Sequence, residues 1–160
     1  MFQPLHGISR ELATISLAIC IALASTLASP GARAADTLVM ISVPEAMSTP
    51  EYQQKLDGSV KFYFGDTPHP EIVHTYGNFV TNKKTNGFAK EAGVACNHVL
   101  LSALIQLQSQ AKSLGGNAVV NIHSYFKKNE AVHDQAVECY KGFLMAGVAL
   151  KGDIVKVAGK

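Results

Sequence analysis

From Ala92 to Leu114 the apolar residues Cys96, Leu100, Leu104, Leu107, Ala111 and Leu114 recur in steps of three and four, while Ser102, Gln106, Ser109 and Ser113 share the opposite side. That period predicts one long amphipathic helix. Leu101 and Ile105 widen its stripe enough to lie on a sheet, and Gly115-Gly116 supplies a left-handed stop.

Elsewhere the rhythm is closer to two. Ser59 to Phe64 alternates as a strand does, and Ile72 to Val80 is rich in β-branched and aromatic residues. After the helix, Asn117 to Phe126 places Ala118, Val120, Ile122 and Phe126 on one face, with Asn121, His123 and Tyr125 on the other. A last strand is predicted from Ala136 to about Leu150, with Gly142 marking a bulge. The polar runs between these segments read as turns: Gly65 to Pro70, Thr81 to Gly87, and Lys127 to Glu130. Ahead of them, Thr37 to Val43 predicts a short strand, and Pro50 to Lys55 a helical turn or two with Ser48 or Thr49 as cap. The expected fold is α+β, one long helix packed on an antiparallel sheet in β-β-α-β-β order, over residues 59–157, preceded by an extension at 35–58.

A third pattern lies at the start of the chain, where an apolar run from Ala13 to Ala28 follows Arg10. It is rich in small residues and falls short of the about 20 strongly apolar residues of a membrane span. Ser29-Pro30-Gly31 breaks a helix, and Ala32-Arg33-Ala34-Ala35 offers small residues to a signal peptidase, so residues 1–34 read as a secretory signal cleaved after Ala34. The alternatives are an uncleaved anchor, since Glu11 beside Arg10 makes an untidy n-region, and a lipoprotein, which the bulky Ile19 before Cys20 disfavours. The expected address is the periplasm or the exterior, with no stable membrane insertion after cleavage.

Cleavage changes the chemistry of what remains. Losing Arg10, Arg33 and Glu11 from fourteen basic and twelve acidic residues leaves twelve lysines facing eleven carboxylates, with no arginine. Bidentate reading of phosphate or guanine relies on the guanidinium fork, so nucleic acid is not an expected partner. Cys20 leaves the count, and Cys96 and Cys139 remain as a pair in a compartment where disulfides persist. Cys96 on the buried stripe can reach only the sheet or its edge, where Cys139 begins a strand; two free buried thiols are the alternative.

Several runs resemble known families. Gln110 to Val120 resembles the helix-to-strand junction of the YbjQ-like domains, a family named for heavy-metal binding, and of the RcsF-type envelope stress sensors. Cys139-Tyr140-Lys141 and the small-residue run Ala146 to Leu150 are similar to the last strand of those sensors. The resemblance implies a Cys96–Cys139 pairing. It does not extend to the sensors' second disulfide, where Ser124 and the neighbourhood of Leu144 stand, nor to their lipid anchor. Residues 56–63 and 80–87 resemble small exported bacterial proteins often labelled excinuclease ATPase subunit. The chain has no Gly-x-x-x-x-Gly-Lys-Ser/Thr phosphate loop and no paired Cys-x-x-Cys sites to go with such a label.

Catalytic and metal chemistry finds little footing. His69, His74, His98, His123 and His133 form no recognised ligand spacing, so no metal or cofactor is expected, and no Gly-x-Ser-x-Gly elbow occurs. The candidate binding loop is 81–87, with Lys83, Lys84 and Asn86; Tyr125 and His123 offer a second surface if the sheet face away from the helix is uncovered. The functional expectation is an exported, disulfide-stabilised binding or interaction domain of the bacterial envelope, not an enzyme, whose partner is another envelope protein or a second copy. A metal-binding or metal-stress protein is the alternative, expected to gather histidines with an acidic residue. A small hydrolase is a remoter one, expected to hold a His beside a Ser or carboxylate in a deep pocket.

Overall fold

The long helix forms where its period places it. In the computed structural model, which describes residues 36–159, it spans Ala92–Leu114 and ends on Gly115 at φ 84°. The apolar run, Cys20 and the cleavage expected after Ala34 lie outside the described residues.

In chain order the elements are β1 (Thr37–Ser42), α1 (Val43–Ser48), α2 (Pro50–Lys55), β2 (Lys61–Phe64), β3 (Ile72–Asn86), α3 (Ala92–Leu114), β4 (Ala118–Ser124), a single 3-10 turn (Phe126–Lys128), β5 (Ala136–Lys141) and β6 (Met145–Val157). The six strands form one sheet with β6 as its spine. One edge of β6 pairs antiparallel with β3 along almost its whole length; its other edge pairs with β5 near the start and with β4 further on. β1 adds antiparallel to β5, and β2 adds parallel to β4. The fold is therefore α+β with the helix on the sheet, but the sheet is mixed rather than purely antiparallel. Between β2 and β4 the chain passes through β3 and α3, and so long a crossover lets the two strands run the same way.

Two strands depart from expectation. The 81–87 segment is not a turn: β3 continues to Asn86, with Thr81 opposite Leu150 and Lys84 opposite Gly147. Its polarity is that of an edge strand, whose outward side chains meet solvent while its backbone completes the ladder with β6. Nor is Gly142 a bulge inside one strand. The chain reverses there, where the Gly142 N–H donates to the Met145 carbonyl at 2.8 Å, and β6 runs on to Val157.

The 35–58 segment shares the core of the rest. Ile41, Val43, Ala46, Tyr52 and Leu56 are buried together with Leu100, Leu104 and Leu107. Thr49 precedes Pro50 at the start of α2, yet its hydroxyl donates back to the Ala46 carbonyl at 2.8 Å instead of capping the helix. Contacts between this segment and α3 climb in step along both. The Tyr52 hydroxyl donates to the Asn97 carbonyl at 2.7 Å, the Gln108 amide reaches the Lys55 carbonyl at 3.5 Å, and Lys112 pairs with Asp57. Burial pushes the Tyr52 hydroxyl pKa up, with Glu51 adding to the effect. Helix α3 is consequently buried on more than the sheet side: Ala95, Val99, Ala103 and Gln108 are covered as well, while Ile105 and Leu114, assigned to the stripe, are exposed.

Cys96, in the first turns of α3, and Cys139, in β5, form a disulfide with Cα atoms 5.8 Å apart. Both residues are fully buried. The bond fastens the start of the helix to the half of the sheet made by β1 and β5.

Candidate functional site

Alternation along the strands divides the sheet into a helix side and an outer side. Val39, Ile41, Val137, Cys139, Ala146, Val148, Leu150 and Ile154 belong to the main core under α3. Their neighbours in sequence face outward. Across this outer side, register places Leu38 beside Tyr140, Met40 beside Glu138, Val80 beside Lys151, and Asn78 beside Asp153. Leu38, Met40 and Val80 are exposed, and among the described residues no helix or second sheet packs over them.

A bulge decides which β4 residues join this face. Between Val120 and His123 the ladder with β6 slips by one residue, and Asn121 sits in the slip at φ 53°. Val119 and Ile122 therefore both point into the main core, whereas Ala118 and Val120 face outward with Val155, Val157 and Tyr63. The even alternation expected from Asn117 to Phe126 breaks here, so Val120 and Ile122 lie on opposite sides.

His123, expected on the outer side, is there but is not solvated: its exposure is 4 %. Its Nδ1 meets the Asn121 carbonyl at 2.8 Å, and its Nε2 lies 3.9 Å from Glu130 Oε1 with no hydrogen-bond partner. Glu130 in turn accepts from Lys151 Nζ at 2.5 Å, and that ammonium stands 5.1 Å from the centre of the Tyr125 ring. The Lys151 hydrogen bond holds the Glu130 carboxyl below its ordinary pKa, and the same bond raises that of Lys151. Beside this group the Phe126 ring stacks on Tyr140 at 3.7 Å, and the Tyr140 hydroxyl donates to Glu138 at 3.2 Å. Partial burial, with Glu138 nearby, raises the Tyr140 pKa. Ser124 joins the two half-sheets: it is buried, and its Oγ accepts the Glu138 N–H at 2.8 Å.

Lys83, Lys84 and Asn86, read as one loop, are divided by the strand that contains them. Lys84 and Asn86 stand on the outer side, opposite Gly147 and Met145, whereas Lys83 faces the helix side opposite Val148. Asn86 is occupied locally, its Oδ1 accepting the Phe88 N–H at 2.9 Å.

The other histidines are scattered. His69 packs edge-on to Tyr63, and His74 edge-on to Tyr76. Among the described residues no three of His, Cys, Asp and Glu gather so as to hold a metal ion. His98 lies 3.7 Å from Glu51 in an open cleft between α2 and α3. Both side chains there are more than half exposed, the cleft holds no serine, and the hydroxyls of Thr49 and Tyr52 are committed to backbone carbonyls. Among the described helices none is long and apolar enough to cross a membrane.

No family model, curated protein or solved structure matches this chain. The outer face has to be read from its own geometry. It combines exposed aliphatic side chains, a stacked aromatic pair and a row of charges held by hydrogen bonds.

Proposed function

We propose that this chain is an exported, disulfide-stabilised interaction domain of the bacterial envelope, related to the YbjQ-like and RcsF-type domains, which binds a protein partner and catalyses no reaction. The observation that carries the reading is the open part of the outer face, where Leu38, Met40 and Val80 are exposed around Tyr140, Phe126 and Lys151, while Ala118, Val120, Val155 and Val157 on the same side are buried. A sheet normally covers both faces or makes one of them polar, and an apolar patch with a polar rim marks a contact surface. The buried Cys96–Cys139 bond supports an oxidising compartment, because disulfides persist there and are rare in the cytosol. The fixed charges at Glu130, Lys151 and Glu138 would set the orientation of the partner.

Photo-crosslinking in intact cells tests the proposal. A crosslinking residue in place of Met40 or Val80 should capture one envelope protein, or a second copy of the chain, whereas one in place of Ser109 on the exposed side of α3 should not. Equal capture from all three positions, or none from the outer face, would overturn it.

A further inference from the structure

At the end of the sheet where β6 begins, two turns project apolar side chains into solvent. Phe143 is 70 % exposed, Leu144 59 % and Phe88 51 %, and Met145 is exposed beside them. The turns brace each other: the Gly87 N–H donates to the Leu144 carbonyl at 2.7 Å, and the Phe88 and Phe143 rings meet edge to face at 5.4 Å. These turns form a tip braced by backbone hydrogen bonds, which shares Met145 with the outer side, and burial within the chain does not explain its exposed rings.

The charge around it indicates what covers it, for its surroundings are basic. Lys141 lies against Gly87 and donates to the Gly142 carbonyl at 2.7 Å, Lys90 ends the Gly87 turn, and Lys83 and Lys84 precede it, against Asp36 and Glu91 as the nearby carboxylates. The start of β1 lies at the same end: Thr37 pairs with Lys141, and the Asp36 carboxylate lies against Gly142.

We propose that the Phe88–Phe143–Leu144–Met145 tip docks reversibly on an anionic lipid surface, its apolar side chains entering the headgroup boundary and its lysines meeting the lipid phosphates. Shallow apolar insertion combined with basic residues at the rim is the chemistry of peripheral membrane binding. The interaction is reversible docking and needs no spanning segment.

The test uses protein purified after expression of the full chain, its N-terminus established by intact mass. Vesicles of phosphatidylcholine, with or without phosphatidylglycerol, serve as the probe. Wild type should float with the phosphatidylglycerol vesicles and be released by salt. Phe143→Ser combined with Leu144→Ser should lower partitioning about tenfold or more, given the apolar area removed. Val73→Ser, which removes an exposed side chain at the opposite end of β3, should leave it unchanged. Because the chain contains no tryptophan, the emission of a Leu144→Trp variant reports this site alone and should shift to the blue when phosphatidylglycerol vesicles are added. The proposal is overturned if wild type and the double-serine variant partition alike, or if Leu144→Trp emission ignores vesicles. It is equally overturned if the tip instead mediates a concentration-dependent dimer that vesicles do not disperse.

Discussion

His123 Nδ1 meets the carbonyl of Asn121, two residues back, at 2.8 Å, and Asn121 is the residue that takes the left-handed conformation at φ 53°. The two facts are one device. The left-handed residue adds a position to β4, which turns Ile122 into the core and carries His123 outward toward Glu130 and Lys151. Asparagine tolerates this conformation better than most residues, and a β-branched side chain tolerates it poorly. Asn121→Val should therefore cost about 1–2 kcal/mol in urea unfolding, and Asn121→Gly about 0.5 kcal/mol or less. A loss of similar size in both variants would show that the Asn121 side chain, and not its backbone, secures the bulge.

The disulfide closes a separation of 43 residues between α3 and β5. Replacing Cys96 and Cys139 together by alanine should lower the unfolding free energy by about 4 kcal/mol, chiefly by freeing the unfolded chain. Because both residues are fully buried, neither Cys96 nor Cys139 should react with a maleimide in native protein before reduction, and reductant should act on their bond mainly through opening of the fold. Denaturant melts of the double variant, with intact-mass thiol counting of wild type, check both parts.

Most of this architecture was legible in the sequence, and what was not has identifiable physical causes. The bounds of α3 followed from its period and from Gly115, because a long amphipathic helix with a left-handed stop repeats the same signal many times. The Cys96–Cys139 pair followed from counting cysteines once export was assumed. Polarity misled over 81–86, since an edge strand shares its composition with a turn and only the β6 ladder tells them apart. The faces of β4 were misassigned because a single residue at Asn121 shifts the phase of everything after it. Of the candidate surface, His123 and Tyr125 were singled out in the sequence. Glu130, Lys151, Leu38 and Met40 were not, for they come from separate segments and meet only through strand pairing.

Asp57 gives the fold a handle on acid. Its hydrogen bond from Lys112, helped by Ser59, lowers its carboxyl pKa from the ordinary 3.8 to about 2. A depressed carboxyl contributes stability that is fully present above its unfolded pKa and is lost as pH falls through the folded value. The contribution of this pair should thus be intact above about pH 4 and vanish between about pH 4 and pH 2. The pair is exposed, so the effect should be small and weaken with salt. Lys112→Met should return the Asp57 titration, followed by carboxyl NMR, toward 3.8. The difference in melting temperature between wild type and that variant should disappear at the acid end. A difference that persists at the lowest pH would assign the Lys112 contribution to its aliphatic stem along α3.

Gly152 lies in β6 opposite the β4 bulge, and its lack of a side chain is a packing requirement. A Cβ there would stand 3.0 Å from Val119 Cγ1, 3.1 Å from Ile122 Cγ1 and 3.2 Å from the Val120 carbonyl oxygen. The two methyl groups could yield only by disturbing a core in which Val119 and Ile122 have no exposure, and the carbonyl is fixed by the sheet. Gly152→Ala should destabilise by about 1–3 kcal/mol, as overpacking does. Gly93, near the start of α3, has nothing within 4 Å of the equivalent position. Gly93→Ala should therefore be neutral or stabilise by up to about 1 kcal/mol through helix propensity. Combining Gly152→Ala with Val119→Ala isolates one of the three obstacles. If the valine methyl is the main clash, the double variant should lose less than the sum of the single losses; strict additivity would place the strain on Ile122 and the Val120 carbonyl instead.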